Sequence, residues 1–136
     1  MVGEDLHCPG RLQQKYSDLA IALGMGLIWS LWHLPLILTP DTLMASLPWY
    51  GEIVFSLTLS VIYIWLYNQT QRSLLFVTVF HALSNTVAYI LLELRVFISS
   101  YLTVVGVTFV LALAIILVYG PKRFGKQAKL AINTET

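Results

Sequence analysis

Apolar residues run along this chain in four long blocks separated by short polar breaks. The blocks cover approximately residues 19–38, 53–67, 73–92 and 98–119. About 20 consecutive apolar residues carry a helix across a bilayer, so the pattern predicts an all-α, polytopic membrane bundle with about four transmembrane helices. The second block is short by apolar count. Trp49 and Tyr50 on one side, and Trp65 and Tyr67 on the other, flank it where interfacial aromatics belong. Pro40, Pro48 and Gly51 punctuate the first break, and Pro121 follows the last span. The organisation expected is a cytoplasmic N-terminal segment, 1–17, a membrane domain, 18–120, and a basic cytoplasmic tail, 121–136.

Composition agrees with the pattern. Of 136 residues, 57% are hydrophobic and 11% charged, where a soluble domain carries about 25% charged residues. The net charge of +1 gives no reason to expect nucleic acid as a partner; the bilayer is the expected one. Cys8 is the single cysteine, so an internal disulfide is excluded. No apolar run precedes it, and no cleaved signal peptide is expected. Charge also sets the orientation. Arg11, Lys15, Arg72, Lys122, Arg123, Lys126 and Lys129 fall on one side of a four-span chain and Arg95 on the other. The positive-inside rule then places both termini in the cytoplasm, with the protein in the cell membrane. On the first span, Ala20-x-x-x-Gly24 and Ala22-x-x-x-Gly26 offer small residues over which helices can approach closely.

Ionisable side chains at membrane depth are costly and mark functional sites. His33 and His81 are the two clearly within spans. Thr78, His81, Ser84 and Asn85 fall on one helical face, which Ala88 continues. Trp29 and Ser30 precede His33 by one turn, and Pro35 follows it, removing a backbone donor. Ser56 and Ser60 read as packing residues, Glu93 and Arg95 as a solvated loop. Asp41 and Glu52 are the only charges of the first loop, 39–52.

Neutral imidazole is a good zinc ligand, but hydrolytic zinc sites use three protein ligands and a water. His33 and His81 supply two. A carboxylate could be the third ligand or a general base, and Asn85 could donate to an oxyanion. The nearest carboxylates to the first span are Glu4, Asp5 and Asp18. A bis-histidine haem is the alternative chemistry. Depth counts against any shared site: at 1.5 Å per residue, His33 lies roughly 21 Å into its span and His81 roughly 12 Å into its own.

"LIWSLWHLPL", followed about 48 residues later by "FHALSN", resembles the CPBP intramembrane proteases, the CAAX-prenyl-protease and bacteriocin-processing family. That family carries an aromatic-x-x-x-His motif on one span and His-x-x-x-Asn or Asp on a later one. Trp29-x-x-x-His33 and His81-x-x-x-Asn85 match in order and spacing. Upstream the family has Glu-Glu-x-x-x-Arg, whose first glutamate is taken as the base that activates water. Here the chain reads "GEDLHCPGRLQQKYSDLA": Glu4 and Asp5 stand for the acidic pair, Pro9 falls where the arginine belongs, and about four residues of the phrase are missing. Members usually carry several spans before this motif, so a shortened or degenerate copy is expected.

The resemblance implies an intramembrane endopeptidase. Glu4 would be its base, His33 and His81 would bind water or a divalent metal such as zinc, and Asn85 would act at the oxyanion. The substrate would be a peptide or protein, prenylated or a leader peptide. The damaged acidic motif implies the second expectation, a non-catalytic membrane partner or immunity-type protein of the same fold.

Overall fold

The computed structural model describes residues 12–124. Four helices follow one another: α1, Asp18–Leu38; α2, Trp49–Gln69; α3, Leu74–Glu93; and α4, Val96–Tyr119, with a single 3-10 turn, Leu43–Ser46, between α1 and α2. Each is long and apolar enough to cross a membrane, α4 over Ser100–Tyr119. The all-α, four-span expectation therefore holds. Large apolar side chains face outward, among them Ile28, Trp32 and Leu117. That is the inverse of a water-soluble protein and suits a lipid surround.

α2 differs from its apolar block. It begins at Trp49, four residues before the predicted start, with Pro48 as N-cap. Proline suits a helix start because the backbone donor it lacks would have no partner there. Glu52 is therefore not a loop residue. It sits in the first turn of α2 and is 5% exposed.

The close approach of α1 to α2 is made by one of the two small-residue pairs. Ala22 and Gly26 are buried on the α1 face that also carries Ser30 and Ile37. A Cβ on Gly26 would stand 2.7 Å from Leu57 Cα and 2.9 Å from the Ser56 carbonyl oxygen. Both are backbone atoms that cannot rotate away. Ala20 and Gly24 face outward, and a Cβ on Gly24 would meet nothing within 4 Å. Gly26→Ala is therefore expected to lose about 1–3 kcal/mol by overpacking, while Gly24→Ala stays neutral or better. Unfolding titrations of the two variants in micelles would check this contrast.

Both ends of the described chain meet at one end of the bundle. Ser17 caps α1 by accepting from Ala20 N. Asp18 is fully buried and gathers four donors: Gln13 Nε2 at 3.0 Å, Asn68 Nδ2 at 2.7 Å, Arg123 Nη1 at 3.2 Å and the backbone N–H of Phe124 at 2.6 Å. Arg123 also donates to the carbonyl oxygens of Tyr16 and Gln13. Backbone N–H groups of Asp18 and Leu19 donate to Lys122 and Pro121. An apolar cluster of Ile21, Ala22, Val61, Ile64, Ala112 and Phe124 packs above this clamp. A second cluster at the opposite end joins Leu47, Leu92, Tyr101 and Val105.

α3 packs least. Leu92 is its one buried residue. A half-buried line of Val77, His81, Ser84 and Ala88 turns inward, whereas Thr78 and Asn85 of the expected polar face are exposed.

Candidate active site

Polar side chains from all four helices converge on a cavity of about 370 Å³ toward the end of the bundle where Thr42, Met44 and Leu47 also line it. His33, His81 and Asn85 all line it, with Trp29, Glu52, Tyr63 and Tyr101. The three site residues predicted on described helices are thus brought together. Glu4 and Asp5 lie outside the described residues.

His33 projects from α1 with Nδ1 at 3.0 Å from the Trp29 carbonyl oxygen. A carbonyl only accepts, so Nδ1 carries the proton, and Nε2 is left with its lone pair. This bond draws the ring back toward the preceding turn, the direction helical side chains favour. Glu52 Oε1 lies 3.8 Å from the same Nδ1.

His81 is held at both nitrogens. The Tyr63 hydroxyl meets Nδ1 at 3.0 Å, and Asn85 Nδ2 meets Nε2 at 3.0 Å. With the amide nitrogen donating to Nε2, the proton of the neutral ring sits on Nδ1 and is donated to the Tyr63 oxygen. Asn85 reaches His81 because residues four apart stack on one helical face.

Trp29 spans the depth difference that the sequence raised. Its ring stacks on His33 with centroids 5.7 Å apart and presents edge-to-face to His81 at 4.8 Å. One indole, a turn below His33, touches both imidazoles. Helix-rise arithmetic measures Cα heights and omits this reach. Both His81 nitrogens already have partners, which leaves neither free as an axial ligand for the alternative bis-histidine haem.

Four residues of this site escaped the sequence reading. Glu52 was hidden by taking the apolar count as the helix start; Pro48 followed by an acidic first turn is a helix-start signal that would have recovered it. Ser56 does more than pack, donating to Glu52 Oε1 at 2.8 Å. Tyr63 and Tyr101 carried no local signal.

Among the described residues, no three His, Cys, Asp or Glu side chains form a set able to hold a metal ion. His33 Nε2 is the one imidazole nitrogen of the pair without a hydrogen bond, so among the described residues the donors fall short of the three ligands zinc takes.

Comparison with known proteins places this geometry in context. A family model described as type II CAAX prenyl endopeptidase Rce1-like matches residues 6–87, which contain both histidine motifs. A CAAX prenyl protease 2 from Methanococcus maripaludis is 31% identical over 119 residues, 83% of this chain and 42% of that protein. The chain thus spans less than half the length of that relative. No solved structure matches.

Proposed function

The chain belongs to the Rce1-like family of type II CAAX prenyl endopeptidases, and from that premise we propose that its cavity is the hydrolytic site of an intramembrane endopeptidase. The convergence of His33, His81 and Asn85 on one cavity, from motifs about 48 residues apart in sequence, is the observation that carries this reading.

The roles follow from the chemistry. A peptide carbonyl enters the cavity and water adds to its carbon. Glu4 takes the water proton and later delivers it to the departing amine. His33 keeps Nδ1 protonated, so its Nε2 lone pair holds the water. Asn85 and His81 stand together on α3, where the amide N–H can turn from the imidazole to the oxyanion. Apolar walls from Leu36, Leu47, Phe55 and Leu59 suit a greasy peptide. The name of the relative favours a prenylated C-terminus over a leader peptide. The lysine and arginine distribution supports both ends of the chain on the cytoplasmic face of the cell membrane.

The test is cleavage of a farnesylated peptide and of a leader peptide by the purified protein in proteoliposomes. Wild type is expected to cleave one of them. Asn85→Ala is expected to slow cleavage by about 10²–10³-fold, the usual cost of one oxyanion donor, and Glu4→Gln to abolish it. Unchanged cleavage by Glu4→Gln would move the base elsewhere.

A second reading, a non-catalytic partner or immunity-type protein of the same fold, is favoured by one observation. Pro9 stands in place of the motif arginine, and the family match starts at residue 6, beyond Glu4 and Asp5. Wild type that binds either peptide and cleaves neither would establish it.

A further inference from the structure

Glu52 is a buried carboxylate in the first turn of a candidate span, and the proposed hydrolysis does not use it. A charge there is expensive unless the surroundings hold it, and the surroundings do so in three ways. Ser56 Oγ donates to Oε1 at 2.8 Å. Tyr101 OH donates to Oε2 at 3.4 Å from a side chain only 1% exposed. The carboxylate also lies in the first turn of α2, where the helix dipole favours negative charge. Gly51 lets Tyr101 come this close, since a Cβ there would stand 2.7 Å from the Tyr101 ring.

We propose that Glu52 is a positioning residue for His33: with the Trp29 carbonyl it fixes the Nδ1–H tautomer and leaves Nε2 free toward the cavity. The carboxylate faces Nδ1 at 3.8 Å, on the side of the ring where the proton must stay. The opposite tautomer would turn a lone pair toward both the carbonyl and the carboxylate, and two electron-rich oxygens would repel it. Both Glu52 oxygens already accept a hydrogen bond from the protein. This suits a group that holds a neighbour and does not suit one that takes a proton from water. A carboxylate or carbonyl behind the second nitrogen of a working imidazole is a recurrent device for setting its tautomer. The purpose of the contact rests on the peptidase reading; the contact itself does not.

The experiment is nitrogen-15 NMR of histidine-labelled full-length protein in lipid nanodiscs, with the His33 resonances identified by their loss in His33→Gln. In wild type, His33 is expected as the Nδ1–H tautomer. In Glu52→Gln the ratio of Nδ1–H to Nε2–H is expected to fall by about tenfold, the order set by removing one unit charge at this distance, with His81 unchanged. The double variant Ser56→Ala/Tyr101→Phe keeps the charge but releases its holders, and a smaller fall in the same direction is expected. It serves as the reading if Glu52→Gln does not fold. A wild-type His33 that is mainly Nε2–H, or a ratio that neither variant moves, overturns the proposal. Cleavage failing in wild type while the tautomer shifts as expected would remove the peptidase reading and leave the positioning role standing.

Discussion

Replacing His33 by alanine is expected to lower peptide cleavage by about 10²–10³-fold, since a water that Nε2 no longer holds is out of line for attack and a small misplacement costs about that much. The ring is about one quarter exposed at its side chain, and the loss should leave folding intact. Its anchors stay in place: the Trp29 carbonyl still accepts the backbone bond of the helix, and Glu52 keeps Ser56 and Tyr101. The effect should therefore fall on turnover, with peptide affinity little changed, because the apolar walls that bind the chain are untouched. Single-turnover cleavage and a separate binding assay in the same proteoliposomes distinguish the two. A parallel loss of binding would mean that His33 shapes the cavity and does not act on water.

The largest loss of stability is expected from Asp18→Ala. Removing one partner of a buried, hydrogen-bonded charge costs about 3–5 kcal/mol, chiefly through what is left unpaired. Here the N–H of Phe124 and the Asn68 amide lose their acceptor, and Gln13 Nε2 keeps only Asn68 Oδ1. Arg123→Ala should cost markedly less, because its side chain is 45% exposed and water can replace part of the contact. Unfolding in micelles read by tryptophan fluorescence orders the two. Equal costs would show that the Asp18–Arg123 contact carries the loss and that the other three donors add little.

The four spans were legible because lipid imposes a simple rule: long apolar runs must be helices. His33, His81 and Asn85 were legible for the complementary reason that polar groups stand out in such runs. Glu52 stood out equally as a type of residue but was placed outside the membrane, since the apolar count started the helix at residue 53. The cap at Pro48 brings it into the first turn of α2, where it is buried. Asp18 shows the opposite limit. In the sequence it reads only as one of the carboxylates nearest the first span, whereas the structure commits it to a clamp whose arginine lies 105 residues away in sequence. No local pattern announces a contact of that range. The choice between the two small-residue pairs on α1 was also invisible, since both have the same spacing and only packing against Leu57 separates them.

The length of the loop closed by Asp18 and Arg123 bears on how the protein is made. A ribosome adds about 5–20 residues per second, so roughly 5–20 s separate synthesis of the aspartate from that of the arginine that completes its clamp. During that interval the carboxylate at the base of α1 has no guanidinium to meet it. Insertion is thus early and sequential, while fastening is late and depends on the last helix having crossed. A chain ending before residue 121 would lack Arg123 and Phe124 and leave Asp18 with the Gln13 and Asn68 amides alone.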